Sequence, residues 1–497
     1  MPIDDMPTDD MPTDNPLLAP FSAPFGLPPF LEIESAHFRP AFEAAMAENR
    51  AEIDRIARNP AAPDFENTIA ALERSGRRLQ TVGGVFWNVA ATDSTPELQA
   101  VERDISGALA RHENEILLNA ALFARVDALH EKRAELGLGE EETRVLELAH
   151  RRFVRAGARL DAEQRRRMAT ISERLANLTT LFAQNVLADE SAYVLLLEAG
   201  DLEGLSEDFR AAAAEVARAR GAPGKYGVTL ARSSVETFLQ SSARRDLREA
   251  AFRAWTSRGE TGGDTDNRTV IAEILRLREE RARLLGFDSF AAYKLDDTMA
   301  KTPAAVRELL DRVFEPALAA ARTERDDLQA LAERDGADFK LAAADWRFYA
   351  ERLRKERFDL DQAALRPYFA LDSMIAAAFH VAERLFGLRF TEVPGLGLYH
   401  ESVRAFDVRD VDGAHVALFL GDYFARPSKR GGAWMSEFRG QEKLDGEVRP
   451  IVVNVMNFSK APEGEPTLLS LDDARTLFHE FGHALHGMLS DVTYPSI

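Results

Sequence analysis

The stretch that most constrains this chain is Ser470–Leu489, SLDDARTLFHEFGHALHGML. Ser470 is a good helix N-cap, Asp472 and Asp473 suit the positive end of a helix, and Ser470-x-x-Asp473 approximates a capping box. Leu471, Ala474, Phe478, Phe481, Leu485 and Met488 recur at helical spacing and predict one apolar face. Within this helix His479, Glu480 and His483 form an H-E-x-x-H pattern. Residues four apart lie one turn apart on the same face, so both imidazoles can share a divalent metal. Glu480 stands about 100° round the helix from His479, placed to reach a water on that metal without ligating it. With ten histidines in 497 residues, a chance match somewhere in the chain has a probability of about 1–2%. The pattern is that of a zinc hydrolase, with His479 and His483 as metal ligands and Glu480 as the catalytic base.

Composition narrows the chemistry further. The chain has no cysteine, so disulfides, thiolate zinc sites, iron–sulfur centres and cysteine nucleophiles are excluded. Any metal must therefore be held by His, Asp or Glu. The net charge of −20 argues against sequence-independent nucleic-acid binding. The runs Arg151-Arg152 and Arg165-Arg166-Arg167 sit among acidic residues and read as solvated helix faces. No apolar run approaches the roughly 18 residues of a membrane span. The acidic start, MPIDDMPTDDMPTD, does not resemble a signal peptide. A cytoplasmic monomer is expected.

Read in order, residues 1–15 carry a short acidic duplication and are expected to be a disordered tail. Residues 16–30, with five prolines among Phe21, Phe25 and Phe30, predict an extended strap on the body. Phe42, Met46, Ile53 and Ile56 predict a helix ended by Asn59-Pro60, and Asp64 restarts one. Long helices are expected over Glu97–Ala121, Glu140–Ala156 and Asp161–Val186, with His112, His130 and His150 facing solvent. Tyr193–Leu197 and Tyr226–Ala231 read as strands around an Ala-rich helix, and helices return from Val235 to Phe386. Past Gly387 the composition turns to β. Leu388–Val393, Val403–Val408, His415–Phe424 and Pro450–Phe458 predict strands, and Lys429–Gly432 a tight turn before a strand. Strands leading into the metal helix predict a small sheet beside it, with an edge to which an extended peptide could add.

The third ligand is the gap. Catalytic zinc of this kind takes two His and one Glu plus water. After Glu480 there is no further glutamate, and Asp491 is the one remaining acid. Asp422, Glu437, Glu463 and Glu465 are candidates if the fold returns them to the helix. His486 lies about 10.5 Å along the axis from His479, poor geometry for a shared tetrahedral site, and reads as a neighbour.

These residues carry a resemblance. Phe478-His-Glu-Phe-Gly-His-Ala-Leu-His486 resembles the signature of the thimet oligopeptidase family of zinc metallopeptidases. Asn15–Leu18 with Leu27–Phe30 resemble that family's N-terminal entry, and Gly421–Met435 and Arg449–His483 its pre-catalytic strands and metal helix, so the resemblance runs from about residue 15 to the last residue. GEPTLLSLDD and HGMLSDVTYPS are most similar to its bacterial peptidyl-dipeptidase branch, which releases dipeptides from peptide C-termini. The runner-up is the oligopeptidase A branch, which cuts internally.

The resemblance implies a mainly α, large two-lobed multi-helix fold with a small β-sheet beside the metal helix. It implies one Zn²⁺ per chain and short unstructured peptides as substrates. Residues 16–387 would form one helical wall of a substrate channel and 388–497 the start of the catalytic region. Family members take their glutamate ligand, and the residues stabilising the tetrahedral intermediate, from segments that follow. The C-terminal part of the fold is therefore expected to be missing, and the chain as given to be an inactive peptide-binding scaffold if nothing internal fills the gap.

Overall fold

The computed structural model describes residues 15–358 and 362–497. The tail expected over 1–15 lies outside them except for Asn15. That residue is buried, donates from Nδ2 to the His37 carbonyl at 2.8 Å and accepts from the Leu17 amide at 3.0 Å. The strap that follows is packed down through Leu17, Leu27 and Phe30.

Helices dominate up to Phe386. Ser35–Ala57, Arg77–Thr92 and Pro96–Leu117 pack together, and Ala162–Ala192 lies along the third of these. The helix expected over Glu97–Ala121 instead ends at Leu117. Asn119 caps a new one, Ala120–Glu131, by accepting from the Ala121 and Leu122 amides. A two-stranded antiparallel ribbon pairs β1 (Leu195–Leu197) with β2 (Tyr226–Val228). No helix among the described residues is long and apolar enough to cross a membrane.

The five-stranded sheet comprises β3 (Arg389–Glu392), β4 (Arg404–Arg409), β5 (His415–Phe424), β6 (Trp434–Arg439) and β7 (Ile451–Phe458). Their spatial order is β3-β4-β5-β7-β6, antiparallel except for the parallel β5–β7 pair. The parallel pair is covered on both faces, which is why its strands read as near-continuous apolar runs. Along β7, Ile451, Val453 and Val455 join the core shared with the strap and the first helices. Val452, Met456 and Phe458 join the core under Leu371–Phe386 and the helix Leu471–Met488. Leu418 and Leu420 of β5 face the first core, Ala417 and Phe419 the second. The sheet is thus the joint between the helical region and the metal helix.

Two histidines expected to face solvent do not. His112 is 3% exposed, with Nε2 2.8 Å from Asn49 Oδ1, and burial lowers its pKa. His150 is buried, 2.9 Å from Asp127 Oδ1, with its ring stacked 3.7 Å from that of His130. Their helices are covered on more than one side, and basic residues of the runs at 151–152 and 165–167 are partners in ion pairs. Arg152 meets Glu113 at 2.8 Å, and Arg167 meets Glu280 at 2.5 and 2.7 Å.

Candidate metal centre

The metal helix spans Leu471–Met488. Ser470 Oγ accepts from the Asp473 amide at 3.0 Å, and the Asp473 carboxylate accepts from the Ser470 amide at 3.2 Å, which is the capping box the sequence approximates. The face against the sheet is Ala474, Leu477, Phe481, Ala484 and Met488. Phe481 sits among Phe379, Phe390 and Phe419 at centroid distances of 5.6–5.7 Å. Leu471 and Phe478, expected on that face, are exposed. The apolar stripe is rotated toward Leu477 and Ala484, because Phe481 rather than Phe478 fills the aromatic pocket.

That rotation aims the imidazoles outward. His479, His483 and His486 are exposed, while Glu480 is 8% exposed. His479 Nε2 and His483 Nε2 stand 3.3 Å apart, with the ring planes at 83°. Two nitrogens bound at about 2.0–2.1 Å to one tetrahedral zinc lie roughly 3.3–3.4 Å apart. The donor set and its spacing therefore fit zinc.

No further ligand joins them. Among the described residues, no three His, Asp or Glu side chains stand close enough to hold a metal ion, so His486 does not complete the pair. Asp422 is fully buried and accepts from Tyr399 Oη (2.9 Å), Arg426 (2.7 and 2.8 Å) and Lys429 Nζ (2.8 Å). Burial raises its pKa, but Arg426 and Lys429 outweigh that and hold it below the usual value. Lys429, read from sequence as part of a turn, is 3% exposed and donates to the Asp422 and Phe424 carbonyls as well. Glu463 and Glu465 are exposed in the loop before the helix, and Asp491 pairs with Lys443.

A cleft of about 620 Å³ runs between the helix and β6, lined by Trp434, Met435, Glu437, Glu480, His483 and His486 among others. The walls approach closely at Gly487, where a Cβ would lie 2.5 Å from Met435 Cε and 2.6 Å from Glu437 Oε1. A glycine in the last turn of an otherwise good helix is the sequence signal for such an approach. β6 is the sheet's edge strand, but part of its edge is engaged. Asn88 Nδ2 donates to the Glu437 carbonyl at 2.9 Å, and a Cβ on Gly84 would lie 2.9 Å from the Phe438 carbonyl. The chain leaving the metal helix is tied down by Gln441, which donates to the Val492 carbonyl and accepts from its amide. Tyr494 is buried edge-on against Phe65. Neither Asn88 nor Gln441 carries a local sequence signal, because each acts on backbone distant in the chain.

A helix with converging imidazoles and a neighbouring acid, beside a sheet edge, is an arrangement able to take a divalent metal next to an extended peptide. Comparison with known proteins names the family. The model of Peptidase family M3 matches residues 238–497. The chain is 40% identical over 485 residues to the dipeptidyl carboxypeptidases of Salmonella typhimurium and Escherichia coli, an overlap of 97% of this chain and 71% of each relative. It is 30% identical over 485 residues to Escherichia coli oligopeptidase A, covering 96% and 71%. The chain belongs to peptidase family M3, a family of zinc metallopeptidases, and is more similar to its dipeptidyl carboxypeptidases than to its oligopeptidases A.

Proposed function

We propose that this chain carries the zinc-binding helix of a peptidyl-dipeptidase, an enzyme that removes dipeptides from the C-termini of short unstructured peptides. The observation that carries the reading is the 3.3 Å separation of His479 Nε2 and His483 Nε2. His479 and His483 would hold the ion, one per chain. Bound there, zinc supplies the Lewis acidity that activates water and polarises the scissile carbonyl. Glu480, largely buried on the cleft wall, takes the proton of the attacking water and returns it to the leaving amine. The peptide lies along Trp434–Ser436, ahead of the Glu437–Phe438 stretch that the Arg77–Thr92 helix engages. Residues 16–387 would form one wall of the channel. Higher identity to dipeptidyl carboxypeptidases than to oligopeptidase A favours dipeptide release over internal cleavage. We place the activity in a cytoplasmic monomer without nucleic-acid partners, in keeping with the net charge of −20.

A second reading is supported by the two-ligand site: the chain as it stands binds peptides without turning them over. Zinc analysis together with hydrolysis of a blocked tripeptide separates the two. Stoichiometric zinc and release of a C-terminal dipeptide support the first; peptide binding with neither supports the second.

A further inference from the structure

The cleft holds a second acid that the proposed chemistry does not use. Glu437 lies on β6, on the same strand face as Met435, and both side chains close on Gly487 of the metal helix. It lines the cleft with Glu480, His483 and His486. Its backbone is held on both sides, by pairing of β6 with Val452 of β7 and by the Asn88 amide on its carbonyl, so the carboxylate has a fixed base. Yet among the described residues no hydrogen bond or ion pair reaches that carboxylate. Other acids in or next to the sheet are treated differently: Glu442 accepts from Arg77 at 2.6 Å, and Glu392, at the opposite edge, accepts from Arg404 at 2.7 and 2.8 Å. Burial raises the Glu437 pKa, and the electrostatic influence of the nearby His486 partly offsets it. A half-buried carboxylate on the cleft wall, with no fixed cation of its own, is stabilised by one that arrives with the ligand.

We infer that Glu437 is a specificity-determining residue whose carboxylate receives a cationic nitrogen of the bound peptide. This rests on the reading of the cleft as a peptide site. Two groups have that chemistry, the side chain of a lysine or arginine and the peptide's own amino terminus. The acid faces the cleft one helical turn beyond His483, beside His486, so it selects at one peptide position and not along the whole backbone. It also disfavours an acidic side chain at that position, because two carboxylates there would repel each other.

The test uses the Glu480→Gln chain with zinc in excess, so that peptide is bound and not consumed, and fluorescence anisotropy of labelled pentapeptides. One series is N-acetylated with lysine, or glutamate, moved through each position against norleucine; a second repeats the norleucine peptide with a free amino terminus. The expected result is an advantage of about tenfold in Kd for the cationic peptide at one position or at the terminus. Adding Glu437→Gln erases the advantage, and Glu437→Lys transfers it to a glutamate-bearing peptide. An advantage that survives Glu437→Gln, or equal binding of all peptides, overturns the inference and leaves the peptide-site reading standing. Absence of binding by every peptide overturns both.

Discussion

At the scale of single residues, the proposed roles divide metal binding from proton transfer. His479 and His483 present nitrogens at zinc spacing on the exposed side of the helix, and Glu480 is turned toward the cleft wall. Glu480→Gln is therefore expected to leave zinc affinity unchanged. It should lower any peptide hydrolysis by about 10²–10⁴-fold, the usual worth of a general base. His483→Ala should weaken zinc by more than the roughly 10–100-fold that losing an outer partner of a ligand costs. Both are read by competition with a chromogenic chelator and a blocked-tripeptide assay. With two imidazoles as the ligands among the described residues, the unmodified chain should itself bind zinc weakly, below one ion per chain in equilibrium dialysis at micromolar metal.

The metal helix as an element is set at one end by a cap and at the other by a close approach. Ser470→Ala removes the oxygen that accepts from the Asp473 amide. It should cost about 1 kcal/mol in urea unfolding, without changing the relation of the two imidazoles a few turns on. Gly487→Ala acts at the other end. The atoms its Cβ would meet are the tips of Met435 and Glu437, which can swing aside, so the expected stability loss is about 1 kcal/mol. The displaced side chains enter the cleft, and peptide affinity should fall although the substituted residue faces the sheet. The helix itself is legible in sequence because capping and apolar spacing are local. Which face is buried was less so: Phe478 and Phe481 are equally apolar, and only the pocket of Phe379, Phe390 and Phe419 chooses between them.

Across the whole molecule, the loop from β5 to β6 is held by the buried cluster of Asp422, Arg426 and Lys429. Ser428 Oγ donates to Asp93 and the Arg430 amide to the Ala91 carbonyl, fastening that loop to the end of the Arg77–Thr92 helix. Asp422→Ala leaves two buried cations without their counter-ion and should cost about 3–5 kcal/mol. Burial pushes the Lys429 ammonium down to about 8, against the usual 10.5 and despite the attraction of Asp422. Between those values the unfolded chain binds more protons at this lysine than the folded one, so its contribution to stability rises with pH. Urea midpoints should therefore move in favour of the unmodified protein relative to Lys429→Met from pH 8 to pH 10. A gap that narrows over that range would contradict a desolvated ammonium.

What the sequence determined by itself is the helix that carries the proposed metal site. His479, Glu480 and His483 belong to a single helix, whose geometry follows from hydrogen bonds and caps a few residues apart. The β-rich runs after Gly387 announced the sheet for the same local reason. What the tertiary structure decided is which acids are free to act. Asp422 is taken up by Arg426 and Lys429, and Asp491 by Lys443, while Glu437 is left facing the cleft. The burial of His112 against Asn49, 63 positions away, was decided there too. A carboxylate's availability depends on every charge and carbonyl packed around it, and those neighbours are chosen by the fold, not by adjacency in the chain.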